Sequence, residues 1–204
     1  MRYNKITVGE LGVNCYIVYR ETGENCFIID PGDEGKRIIK TIRKMKLIPK
    51  GVILTHAHMD HCGGVSGILN EFNIPLMMHE EDLPVLNSGV NLSLAESLGL
   101  SIPPPPDNFF ENGDKIGVGD VELTVIHTPG HTPGSVCFKA ENIIFTGDTL
   151  FAGSVGRTDL PGGDFGVLQN SLDILRLFPP ETILLPGHGE ETTLKKELAF
   201  NPFM

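Results

Sequence analysis

The sequence predicts an α/β domain, on two observations. Short β-rich runs alternate with segments of helical period along the 204 residues, and His and Asp gather where the strand-like runs end. The N-terminal M-R-Y-N-K-I-T-V-G-E enters a strand-like pattern directly. Cys15 to Tyr19 and Cys26 to Ile29 are β-rich and are separated by E-T-G-E-N, a hairpin signal. From Gly35 to Lys46 the positions Ile38, Ile39, Ile42 and Met45 carry the i, i+3, i+4, i+7 spacing of an amphipathic helix. Val52 to Leu54 reads as a buried strand, Gly63 to Phe72 as a helix and Pro75 to Met78 as a strand. Ser88 to Asn108 includes P-P-P-P and has no clear period, which predicts a long surface loop, stiff and lying over the site. Val121 to Ile126, Ser135 to Lys139 and Ile143 to Thr146 read as strands. Phe165 to Phe178 reads as a helix, Thr182 to Leu185 as a strand and Glu191 to Phe200 as a final helix.

Size and composition bound the function. A chain of 204 residues suits one domain, 1–204, burying roughly 70% of its unfolded surface. No apolar run approaches the ~20 residues of a membrane span, and no leader-like segment precedes the first strand, so the expected location is the cytoplasm. Cys15, Cys26, Cys62 and Cys137 are scattered and lack C-x-x-C spacing, which fits reduced thiols. A formal net charge of −10 argues against nucleic acid as a partner. A small molecule is the expected partner; the oligomeric state is open.

Four strand ends carry the chemistry. Val52-Ile53-Leu54 runs into T-H-A-H-M-D-H, Val125-Ile126 into H-T-P-G-H, Ile143 to Thr146 into G-D-T, and Leu184-Leu185 into P-G-H-G. Residues two apart in an extended segment point the same way, so His56 and His58 can reach one ion. Asp60 and His61, beyond a bend, can face a second. His131, Asp148 and His188 complete two shells, with the two oxygens of Asp148 able to bridge. Asp30 can orient a ligand imidazole or shape its turn. His79 and His127 are expected to be structural, and Cys62 a small buried thiol.

T-H-A-H-M-D-H, H-T-P-G-H-T-P-G-S, F-T-G-D-T-L-F and P-G-H-G together resemble the metallo-β-lactamase superfamily, in the right order over nearly the whole chain. The resemblance implies a four-layer αβ/βα sandwich with the site at one sheet edge. It implies two divalent ions, zinc first, with iron or manganese as alternatives. His56, His58 and His131 would hold one, and Asp60, His61 and His188 the other, with Asp148 between them. Asp60 would also orient the attacking water. β-Lactamases with mixed zinc ligands have a cysteine where Asp148 stands. The carboxylate therefore points to a thioester hydrolase of the glyoxalase II type, acting on S-lactoylglutathione, the hydroxyacylglutathione hydrolase reaction.

In long glyoxalase II enzymes a C-terminal helical domain holds glutathione, and no counterpart to it is expected after P-G-H-G. Arg157 in G-R-T-D aligns with a basic residue near the thiol-bearing ligand, while Asp159 replaces the tyrosine two positions on. Arg157 is thus either a substrate contact or half of a loop salt bridge with Asp159 or Asp164. The motif G-R-T-D is shared with persulfide dioxygenases, in which His56, His131 and Asp148 would hold a single iron. A non-catalytic metal-binding scaffold is the third reading.

Overall fold

The computed structural model describes residues 1–118 and 121–204. Its first sheet is ordered β1 (Arg2–Val8), β2 (Val13–Tyr19), β3 (Asn25–Ile29), β4 (Ile48–Ile53), β5 (Leu76–Met78) and β6 (Asn108–Phe109). The first three strands are antiparallel and the remaining pairings are parallel. The second sheet runs β14 (Thr192–Thr193), β13 (Ile183–Pro186), β10 (Ile143–Gly147), β9 (Val136–Ala140), β8 (Val121–His127) and β7 (Lys115–Val118). A small ribbon pairs β11 (Leu150–Phe151) with β12 (Ser154–Val155). The helices are α1 (Gly35–Met45), α2 (Met59–Cys62), α3 (Val65–Phe72), α4 (Leu83–Leu86), α5 (Gly89–Leu98), α6 (Phe165–Arg176) and α7 (Leu194–Phe200).

Side-chain alternation along the strands divides the core into three layers. Cys15, Ile17, Cys26, Ile28, Val52 and Leu54 pack with Ile38 and Ile42 of α1 and Val65 and Ile68 of α3. Their neighbours Tyr16, Val18, Phe27, Ile29 and Ile53 point the other way, against Val125, Phe138, Phe145 and Leu185 of the second sheet. The opposite face of that sheet, including Cys137, Ile144 and Leu184, packs with Leu172 and Leu175 of α6 and Leu194 of α7. Three apolar interlayers between four layers of backbone are the predicted αβ/βα sandwich. Sheets covered on both faces need continuous apolar strands, which is why these runs read as uninterrupted in the sequence.

Strand direction assembles the site edge. β10 and β13 are parallel, while β8 and β10 are each antiparallel to β9 and so run the same way. The C-terminal ends of β8, β10 and β13 therefore leave the second sheet on one side. β4 delivers its C-terminal end from the first sheet, joined by a hydrogen bond from Val136 N to Thr55 O (2.8 Å).

Three sequence expectations change. Ser88 to Asn108 is not a loop throughout but contains α5, capped by Ser88 Oγ accepting from Asn91 N at 3.2 Å and ended by Gly99 at φ 65°. Its periodicity is hidden because the buried positions are Asn91 and Ala95, whereas Val90 and Leu92 are exposed. The prolines leave this helix for β6, and it is α5 that borders the site. The helix expected from Gly63 is preceded by α2, with Gly63 and Gly64 between α2 and α3. A β-carbon on Gly64 would lie 2.7 Å from Pro31 O, so only glycine lets the chain pass there. The final helix begins at Leu194 rather than Glu191, because Thr192 and Thr193 pair with β13.

Phe138 is fully buried between the sheets, edge-on to Phe110 at 5.5 Å between ring centroids. Phe138→Ala is expected to cost about 3–5 kcal/mol, read as a lower denaturant midpoint at unchanged m-value.

Candidate metal centre

The seven side chains expected to act as ligands meet at this edge. His56 and His58 follow β4, Asp60 and His61 lie on α2, and His131, Asp148 and His188 follow β8, β10 and β13. His58 Nδ1 lies 2.9 Å and His56 Nε2 3.2 Å from His131 Nε2. His61 Nε2 lies 3.3 Å from His188 Nε2, which is 3.4 Å from Asp60 Oδ2. Asp148 spans the two groups: Oδ1 is 3.3 Å from His61 Nε2, while Oδ2 is 3.6 Å from His131 Nε2 and 3.5 Å from His188 Nε2.

Donor atoms about 2.1 Å from a tetrahedral ion lie ~3.4 Å from one another, so these separations have the scale of a metal shell. His56, His58 and His131 form one ligand group and Asp60, His61 and His188 another. The donor set of imidazole and carboxylate suits zinc, iron or manganese. Asp148 Oδ1 is buried and accepts no hydrogen bond, a state that a cation would satisfy.

The tautomers agree with this. His61 Nδ1 donates to Asp30 Oδ2 (3.0 Å), His131 Nδ1 to Arg157 O (2.7 Å) and His188 Nδ1 to Leu11 O (3.1 Å). Thr55 Oγ1 gives its one proton to Asp30 Oδ2 (2.6 Å), so it accepts from His56 Nδ1 (3.1 Å). In each ring this leaves the second nitrogen facing inward, able to offer its lone pair to a cation whenever it carries no proton. Electrostatics divide the cluster. Burial pushes the His56 pKa well down, and burial with the adjacent His131 brings His58 to about 4, so both are neutral. For His61, burial opposes charge, but Asp148 and Asp60 override it and raise the pKa well above the ordinary value. The same attraction holds Asp148 far below the usual carboxylate range despite its burial. The pocket around His61 thus favours a cation, whether a proton or a metal ion.

Other residues hold the ligands in place. Asp30, at φ 49°, also accepts from Thr55 N (2.7 Å), tying the ends of β3 and β4 to α2. Asp82 is buried and accepts from Ala57 N (2.7 Å), Gly134 N (2.6 Å) and Thr132 Oγ1 (2.9 Å), which joins the His56–His58 segment to the His131 loop. Asn91 of α5 accepts from Met59 N (3.1 Å) and donates to Ala57 O (2.6 Å). Sequence reasoning missed Asp82 and Asn91: neither sits in a motif, and their partners lie 25 to 52 residues away along the chain. A β-carbon on Gly187 would meet Asp148 Oδ1 at 2.3 Å, which explains the glycine of P-G-H-G.

Cys62 is a buried thiol that donates to His58 O (3.3 Å), and burial pushes its pKa well up. His79 and His127 stack at 4.2 Å with their planes 12° apart, near Glu81. Lone pairs in parallel rings do not converge on one ion, and His127 Nε2 donates to Pro133 O (2.9 Å). Arg157 lines the cavity beside the cluster, and its guanidinium makes two 2.7 Å bonds to Asp159.

With fold and site in place, the class is clear: residues 8–188 match the Metallo-beta-lactamase superfamily, and the chain belongs to it. Within that superfamily it is similar to the hydroxyacylglutathione hydrolase GloC of Haemophilus influenzae, at 33% identity over all of this chain and 98% of that one. Among solved structures, TTHA1623 in a di-iron-bound form shares 42% identity over 98% of this chain and 100% of that one, with TM-score 0.90. The B3 metallo-β-lactamase BLEG-1 shares 35% over 99% of each, with TM-score 0.91. Among the described residues, no helix is long and apolar enough to cross a membrane.

Two outcomes follow from the geometry. Asp30→Asn removes an acceptor from Thr55 or His61 and is expected to weaken metal binding about 10–100-fold in a chelator competition. Because His61 and His188 have raised pKa values, the metal-free site holds protons near neutral pH that an ion must displace. Metal affinity should therefore rise as pH increases from the ordinary histidine range of ~6.5 upward. Calorimetry in buffers of different ionisation enthalpy should show proton release.

Proposed function

We propose that this protein is a binuclear metal-dependent thioester hydrolase. The supporting observation is the pair of ligand groups joined by Asp148 beside a cavity of about 940 Å³. His56, His58 and His131 would hold one divalent ion and Asp60, His61 and His188 the other, with Asp148 shared. Two such ions supply an acidified water and polarisation of the substrate carbonyl. Asp60, held ionised by His61 and His188 despite its burial, is placed to orient that water. As a C–O bond forms to the water oxygen, the acyl C–S bond breaks and sulfur leaves with the bonding pair. The products are a carboxylate, a thiol and one released proton. A thiol of pKa ~8.5 is a good leaving group without a dedicated acid.

S-Lactoylglutathione is the first substrate to assay, on the similarity to GloC; the similarity to BLEG-1 makes a β-lactam the necessary comparator. The measurement is metal content per chain together with both assays under nitrogen. Two ions of zinc, iron or manganese with oxygen-independent thioester cleavage are expected. A single iron with turnover of glutathione persulfide only in oxygen would instead establish a persulfide dioxygenase, and cleavage of the β-lactam alone would establish a lactamase. Asp148→Ala is expected to lose both ions and all turnover; one retained ion with normal activity would refute the shared carboxylate.

A further inference from the structure

Away from the ligands, the cavity has a distinct character. Leu11, Val90, Leu94, Phe151, Val155 and Leu160 line it, and Leu11 and Val90 are 48% and 41% exposed at its mouth. Val90 and Leu94, four residues apart, share one face of α5. Solvent-exposed apolar groups around a catalytic cleft are stabilised by covering them with apolar ligand surface.

Charge complements that reading. Arg157 is the one Lys or Arg among the described lining residues, and Asp159 engages it in a two-bond fork. Arg157 in turn holds the Asp159 carboxyl down to about 2. Arg157 and Asp159 are 61% and 68% exposed, so the pair is worth little as stability. A substrate carboxylate has to displace one tethered two residues away, and then lie beside it.

Resting on the thioesterase reading above, we infer that the cavity selects a thioester with an uncharged, apolar arm. Asp159 acts through Arg157 as a positioning residue that masks the cation from anionic thiol carriers such as glutathione. S-Lactoylglutathione is then competent by its chemistry but held weakly.

The test compares two thioethers that cannot be hydrolysed, S-hexylglutathione and S-hexyl-N-acetylcysteamine, which share the alkyl arm and differ in carrier charge. Binding to the metal-loaded protein is measured by calorimetry. Wild type should bind the uncharged thioether roughly tenfold more tightly. Asp159→Asn should strengthen the glutathione thioether by roughly fivefold while leaving the other unchanged, the scale of one unit charge at ~4 Å in water. Val90→Asp, at an exposed position in the first turn of α5 where a carboxylate suits the helix, should weaken the uncharged thioether severalfold. Equal or tighter binding of S-hexylglutathione by wild type, or an equal response of both thioethers to Asp159→Asn, overturns the inference. Thioester hydrolysis alongside that result leaves the proposed function standing. The expected preference without hydrolysis of any thioester removes the proposed function instead, and keeps the apolar selectivity of the cavity.

Discussion

An imidazole can offer a lone pair to a cation only when its other nitrogen keeps the proton, and something outside the site must hold that proton in place. This requirement organises the edge of the sandwich. Arg157 and Leu11 supply backbone carbonyls, Thr55 a hydroxyl and Asp30 a carboxylate. Each comes from a different element, so the orientation of four rings depends on how the two sheets meet. Asp30 carries the largest share, since its two oxygens serve Thr55 and His61 together. It adopts a left-handed backbone to do so, a conformation that Asp tolerates better than most residues.

Around the ligands lies a second layer of buried polar groups, Asp82 and Asn91, that saturates backbone donors and acceptors of the loop carrying His56 and His58. A loop among buried strand ends would otherwise leave those groups unpaired, at roughly 1–3 kcal/mol each. Asn91 brings α5 into this layer, and α5 in turn presents Val90 and Leu94 to the cavity. The element that steadies the ligand loop is thus also a wall of the cavity. Arg157, which also lines the cavity, offers its carbonyl to His131 and pairs its guanidinium with Asp159. Ligand orientation and charge at the cavity mouth are therefore coupled through a single residue.

The alternation of strands and helices and the His- and Asp-bearing strand ends were legible in the sequence because both rest on short-range patterns, while the four-layer sandwich and the assignment of ligands to each ion came with the resemblance to the metallo-β-lactamase superfamily. Continuous apolar runs mark strands covered on both faces, and a turn placed after each leaves its polar residues at the strand end. Spacing within T-H-A-H-M-D-H limits which side chains can face one point. The helix α5 was not legible, since its inward positions are Asn91 and Ala95, which carry no hydrophobic signal. Asp82 was invisible for a related reason: its role exists only once Ala57 and Gly134 have been brought to it.

By itself, the sequence determined the alternating elements, the strand ends that carry His and Asp, and the chemistry those residue types can perform, because these depend on neighbours within a few positions. Tertiary structure alone decided which nitrogen of each ring faces inward and which side chains line the cavity. Those features arise from contacts between side chains and backbone carbonyls on separate elements, whose positions follow from the packing of two sheets and not from local order along the chain.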